Sequence, residues 1–276
     1  MAEAWRRLRR NRLAMVGAVV LLAMAALAVL APWIAPYSYA KTDLAYGPRP
    51  PSWAHPFGTD ELGRDLLTRV MWGARVSLGV GILATLVSLT IGVSYGAVAG
   101  YLGGRADRLM MRAVDILYGL PFMFFVIILM VLLGRNIFNL FIALGAVQWL
   151  TMSRIVRGQV LTLKVREFVD AARALGGSPP RLLGLHVVPN AAGPVIVYAT
   201  LTVPAVMLEE AFLSFLGLGV QPPMASWGSL ASEGAAAMEA YPWLILFPGL
   251  ALTGTLLSLN FLGDGLRDAL DPQVGR

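Results

Sequence analysis

The 276-residue sequence contains no cysteine. That removes disulfide frameworks, thiolate metal sites and thiol nucleophiles at once. Histidine is scarce too: the two present, His55 and His186, fall on opposite sides of a membrane by the span order set out below, where they share neither a metal nor a catalytic triad. No phosphate-cradling GxxxxGK[ST] loop, no HExxH and no GxSxG elbow occurs. Gly79-Val80-Gly81-Ile82-Leu83-Ala84 spells the dinucleotide fingerprint, but it lies inside an apolar helical stretch instead of a strand-to-helix turn and is set aside. Charge is thin: 14% of residues are charged against 57% hydrophobic, with a mean hydropathy of +0.69. Such values lie far from a soluble globular domain and match a polytopic membrane protein. The expected solvent is lipid.

What is there is a series of apolar runs: Leu13 to Ala31, Val76 to Tyr101, Ala113 to Leu133, Ile137 to Ile155, Ala191 to Leu216 and Trp243 to Leu262. Each suits a helix crossing a hydrocarbon core ~30 Å thick. The expected fold is therefore all-α, a polytopic transmembrane helical bundle of six spans. The first run follows an arginine-rich start, and its competing reading is a signal peptide with Ala26-Leu27-Ala28 as cleavage site. It is longer than a signal core of roughly 7–15 residues, and Trp33 follows as an interfacial anchor, so a retained span is expected. Residues 1–12 form a basic cytoplasmic start, 13–263 the membrane domain and 264–276 a short tail carrying Arg267 and Arg276. Two external loops, 32–74 and 217–242, and a cytoplasmic loop, 157–190, are expected. No second domain or internal repeat is evident.

The net charge of +6 would in a soluble protein raise nucleic acid as a partner. Its distribution points to topology instead. Arg6, Arg7, Arg9, Arg10 and Arg12 precede the first span, the fourth leads through Arg154, Arg157, Lys164 and Arg166 into the next loop, and 220–242 has no Lys or Arg. The positive-inside rule then places both termini and the 157–190 loop in the cytoplasm.

Several features within the spans invite a reading. Gly92, Gly96 and Gly100 recur every fourth residue, with Ser77, Gly81 and Thr85 on a nearby face, a seam for close helix approach. Pro121 should kink the third span, and Asp115 should pair with Arg112. Asp60, Glu61, Arg64 and Asp65 sit in a turn-rich loop with no histidine at ligand spacing, so ion pairing is expected over a metal or acid–base site. Glu209 and Glu210, near the far end of the fifth span, are costly in lipid. They are candidates to line or gate the mouth of a pathway, with interfacial snorkelling as the competing reading.

The organising stretch is Glu167 to Pro189, EFVDAARALGGSPPRLLGLHVVP. Phe168, Ala171, Ala172 and Leu175 recur at i, i+3, i+4 and i+7, giving a short helix an apolar face, while Glu167, Asp170 and Arg173 point elsewhere. Gly176 stops that helix, and Ser178 caps a second with Pro179 in its first turn and Leu182, Leu183 and Val187 as its apolar side. A DNA-reading bend with Arg173 and Arg181 on phosphates is disfavoured, because hydrophobic spans close on it from both sides. A surface amphipathic loop without a partner is the other alternative.

Asp170-Ala171-Ala172, Gly176 and Val188-Pro189 resemble, in internal spacing, the "EAA" loop of ABC importer membrane subunits. Asp170 stands where that motif usually has Glu, and His186 and Val188 replace its usual Ile and Leu. The chain as a whole resembles the C-type permease subunit of dipeptide, oligopeptide and nickel importers. The resemblance rests on Asn11-Arg12-Leu13, Phe57 through Asp65, Glu210-Ala211, Leu213 through Gly219, Gln221-Pro222-Pro223, Ser226-Trp227-Gly228 and Gly263 through Asp268. It implies a type I importer fold and a complex with a similar permease subunit, two cytoplasmic ATPase subunits and an external substrate-binding protein. It further implies that ATP and Mg²⁺ are bound by the ATPases, with no cofactor in this chain, and that ATPase coupling runs through Glu167, Asp170, Ala171, Ala172, Arg173, Ala174 and Gly176. Peptides or a small solute such as a nickel chelate would be the cargo. A gradient-driven transporter or channel is the alternative, but it would need charged groups on broken midplane helices, and spans one to four offer almost none.

Overall fold

The computed structural model describes residues 2–270, and the expected Arg276 of the tail lies outside them. Helix α1 (Ala2–Arg10) breaks at Asn11, whose side chain accepts the N–H of Ala14 at 3.1 Å and starts α2 (Arg12–Ile34). After a long loop, Asp65 caps α3 (Leu66–Leu102) by accepting from the Thr68 N–H at 2.8 Å. The helix begins well before the expected Val76, because Arg69 is neutralised by neighbouring carboxylates and becomes compatible with a buried first turn. At 37 residues it is about 55 Å long, more than a bilayer core requires.

The third span differs from expectation. In place of one helix kinked at Pro121, the chain forms α4 (Gly104–Tyr118) and α5 (Phe122–Leu133), inclined to each other by 85°. Gly119 ends the first and Pro121 occupies the N-cap position of the second, so proline here separates two helices instead of bending one. Helix α6 (Ile137–Leu163) follows, then α7 (Glu167–Ala174), α8 (Pro179–Leu182), a π-helical turn (Leu183–Val187) and α9 (Val188–Asn190). Helices α10 (Ala192–Phe215), α11 (Trp227–Ala236) and α12 (Trp243–Leu270) complete the bundle. Among the described residues five helices are long and apolar enough to cross a membrane, with a sixth span if α4 and α5 count as one broken span. Among the described residues no strand is present.

Helix α3 is the axle. A Cβ at Gly92 would lie 2.6 Å from Met152, one at Gly100 2.9 Å from Val160, and one at Gly96 would strike the backbone of Ser153. The three glycines therefore lie flat against α6, as their spacing predicts. On another face Gly81 meets Val203 and Met207 of α10, and Ser77 accepts the backbone N–H of Trp227 at 2.9 Å. Trp227 is fully buried, its indole N–H donating to the Val70 carbonyl at 2.9 Å. Large apolar side chains such as Val19, Leu22 and Val29 of α2 stay exposed, the arrangement expected of a surface wetted by acyl chains.

At the α11 end the long loop is fixed by charge. Asp60 pairs with Arg64 and Arg69, each at 2.7 Å, and Arg69 also reaches Glu233 of α11 at 2.8 Å. Asp65 adds a 2.8 Å contact to His55. The expected ion pairing of Asp60 and Arg64 is present, while Asp65 meets His55 by a hydrogen bond and Glu61 is exposed; Arg69 and Glu233 join the network without having been singled out in the sequence. Arg69 is 2% exposed, so Arg69→Met should leave Asp60 with Arg64 as its remaining charged partner and lower stability by about 1–3 kcal/mol. Glu233, 46% exposed, is the control: Glu233→Gln should cost less than about 1 kcal/mol. Thermal unfolding in detergent reads both.

At the opposite end Asp115 pairs with Arg154 of α6 at 2.6 Å. The expected partner was Arg112, one turn away on the same helix; the abrupt end of α4 instead brings Asp115 against α6. Asp107, buried, takes a two-pronged contact from Arg157, and Lys164 Nζ donates to the Gly100 carbonyl at 2.7 Å. These contacts explain why α6 runs past the expected Ile155 to Leu163: its charged last turns have fixed partners.

Candidate coupling hook and transport cavity

The hook between α6 and α10 is built as the sequence predicts in outline. Helix α7 ends at Leu175, Gly176 takes φ +85°, and the chain turns into α8. A positive φ is cheap for glycine and strained for other residues. Gly177 then passes so close that a Cβ would lie 2.8 Å from the Ala172 carbonyl and 2.9 Å from Leu182. Ser178 occupies the N-cap position and Pro179 the first turn, but the Ser178 side chain makes no capping bond. Only one turn of α-helix follows before the π-helical segment. Leu182 and Val187 are buried and Leu183 half-buried, the apolar side expected.

The first helix seats itself differently. Its buried residue is Val169, which joins Val156, Val160 and Val187 in one cluster. Of the stripe read in the sequence, Ala172 is half-buried while Ala171 is exposed, Phe168 is 41% exposed and Leu175 89%. The stripe thus faces away from the bundle, so the apolar face and the seating face are distinct. Glu167 and Ala174 are exposed, and Asp170 and Arg173 pair with each other at 2.5 Å, also exposed. A small protruding helix, held from below by valines and showing apolar side chains above, is a surface shaped for a protein partner.

The break between α4 and α5 opens a cavity of about 620 Å³ against α6 and α10. Tyr118, Phe122 and Phe125 come from the break, Gln148 and Thr151 from α6 and Glu209 from α10. Tyr118 and Thr151 hydroxyls lie 3.2 Å apart, and the Arg154 guanidinium stacks 4.4 Å above the Tyr118 ring. Gln148 Nε2 donates to Glu209 Oε1 at 2.8 Å.

The two adjacent acids are separated by the helix. Glu209 lines the cavity, whereas Glu210 is 1% exposed and points between α10 and α11. Ser226 and Ser214 hydroxyls donate to Glu210 Oε1 at 2.6 and 2.9 Å. Ser226 also caps α11, accepting from the Ser229 N–H at 3.0 Å, so Glu210 ties α10 to the start of α11. Gln148, Tyr118 and Thr151 were missed in the sequence; a lone amide in an apolar span was the available signal for Gln148.

The hook and cavity share two helices. Helix α6 runs from Gln148 to Leu163, one short turn before the hook, and α10 runs from Ala192, just after the hook, to Glu209. Each connection spans about 25 Å at 1.5 Å per residue. The hook and both polar groups of the cavity are thus joined by two helices. A broken-span helical bundle with a solute-sized cavity and an exposed apolar hook has the architecture of a membrane permease.

Comparison with known proteins agrees. Residues 90–276 match the model of the binding-protein-dependent transport system inner membrane component, and residues 1–51 that of the N-terminal transmembrane domain of oligopeptide transport permease C. The chain belongs to the family of binding-protein-dependent transport system inner membrane components. It is similar to an oligopeptide transport system permease protein of Haemophilus influenzae, 51% identical over 273 residues, 98% of this chain and 88% of that one. A dipeptide transport system permease protein of Bacillus subtilis is 48% identical over 99% of this chain and 86% of its own length. An oligopeptide transport system permease protein of Escherichia coli K12 is 51% identical over 98% and 90%. The chain is accordingly a multi-span permease subunit of an ABC importer, not an enzyme in its own right, and the gradient-driven alternative is not favoured.

Proposed function

We propose that this chain forms half of the inner-membrane pathway for di- or oligopeptides, in a heterodimer with a homologous permease subunit. Two cytoplasmic ATPase subunits, which bind ATP and Mg²⁺, dock on the α7–α8 hooks, and an external binding protein delivers cargo at the α11 end. Both termini and the hook lie in the cytoplasm. This orientation is supported by Arg6, Arg9, Arg10 and Arg12 at the start of the chain and by the absence of Lys and Arg from 220–242. Closure of the ATPases on nucleotide moves the hook, and α6 and α10 carry that movement to the cavity walls. Residues Glu167 through Gly176 supply the contact, Phe168, Ala171 and Leu175 filling an apolar groove and Asp170 and Arg173 meeting its rim.

The observation that carries this reading is the exposed stripe of α7, positioned at the basic end of the bundle between the two helices that reach the cavity. Its test is purification in mild detergent followed by reconstitution. ATPase subunits should co-purify, and peptide uptake into vesicles should require ATP, the ATPases and the binding protein together. Uptake by the permease chains alone would overturn it.

A further inference from the structure

We infer that Glu209, held by Gln148, receives the α-ammonium group of the peptide in transit, so that this subunit binds the amino end of the cargo. The inference rests on the peptide-import reading above. Glu209 is the one charged side chain lining the cavity; the rest of the wall is apolar, aromatic or neutral polar. Gln148 occupies Oε1 at 2.8 Å, while Oε2 is buried and meets no donor among the described residues. A carboxylate oxygen withdrawn from solvent and left without a donor is expensive unless a ligand supplies one.

Among the described residues no cation is placed to do so. Arg154, which stacks on Tyr118 at the cavity wall, is taken up by Asp115 at 2.6 Å. A primary ammonium presents three donors and a positive charge, and a rotation of the carboxyl group that turns Oε2 to the cavity lets a charge-assisted bond complete its hydrogen bonding. The cavity, about 620 Å³, falls within the ordinary range for small-ligand sites of roughly 300–1,000 Å³. Phe122 and Phe125 give the first side chain an apolar wall. A peptide carboxylate finds no Lys or Arg among these lining residues, which orients the cargo with its amino end toward this chain.

The test uses the full importer in proteoliposomes, with binding protein saturated with a tripeptide bearing a free amino terminus. Glu209→Gln, close to isosteric but uncharged, should slow uptake about tenfold or more, and Glu209→Asp should recover it to within about threefold of the parent. Subunit stoichiometry on purification should stay that of the parent for both variants. Parental uptake by Glu209→Gln would overturn the inference. Equal loss in Glu209→Gln and Glu209→Asp would overturn it too, by making side-chain length the requirement. Loss of the partner permease from Glu209→Gln would do the same by assigning the carboxylate to the subunit interface. If the parent importer takes up no peptide under ATP, it is the import reading itself that fails.

Discussion

Leu175→Asp is expected to leave the chain folded and membrane-inserted but to cut ATP-driven uptake about thirtyfold or more. Leu175 is 89% exposed, so the substitution removes almost no burial within the subunit. In an assembled importer the same side chain would lie against the ATPase, where an unpaired carboxylate costs its desolvation and loses an apolar anchor; interface anchors of this type are worth about 2 kcal/mol or more. ATPase activity should persist while uptake is lost, the signature of an uncoupled lever. Two further substitutions in the hook report on its shape. Gly176→Pro forces φ from +85° to about −65° and destroys the turn. Ala172→Arg places a long cation under the turn, where the Ala172 carbonyl accepts the Gly177 N–H at 3.1 Å. Both should uncouple as Leu175→Asp does. Normal uptake in all three variants would remove the hook from the mechanism.

The second large effect concerns assembly of the bundle itself. Gly96→Val should abolish accumulation of folded protein in the membrane, because its Cβ would collide with Ser153 backbone atoms that cannot rotate aside. Helices α3 and α6 would have to part along a seam that Gly92 and Gly100 share, and overpacking of this severity costs about 3 kcal/mol or more. Gly79→Val provides the control on the same helix, since a Cβ there meets nothing within 4 Å. It should accumulate normally. Membrane abundance and the size-exclusion profile in detergent distinguish the two.

The spans, the glycine seam and the hook were legible in the sequence because each follows from one-dimensional periodicity. Gly92, Gly96 and Gly100 share a helix face whatever their partner, and Gly176 marks a turn whatever follows it. Partners across space were not legible. Asp115 has an arginine one turn before it, but the helix ends and the pair forms with Arg154. Glu209 and Glu210 differ by one position, which is about 100° around a helix, and the sequence holds no record of which side faces the cavity. Pro121 allows either a kink or a complete break, and the choice is made by Gly119 and the packing of α5 on α6. The link from Arg69 to Glu233 was not legible for a related reason: the two lie 164 residues apart and meet only when α11 folds over the long loop.

That ATP hydrolysed by another polypeptide drives this chain through the hook is tested most directly by proximity. The chain has no cysteine, so Leu175→Cys and Trp53→Cys each create a single thiol in it. With a short thiol-to-amine cross-linker applied to the purified importer, the thiol at position 175 should yield an adduct of permease plus ATPase. The thiol at position 53, fully exposed in the loop at the other end of the bundle, should give none. In intact cells an impermeant thiol reagent should label position 53 and spare 175. Labelling of position 175 from outside, or its failure to join the ATPase in an importer that transports, would contradict the mechanism.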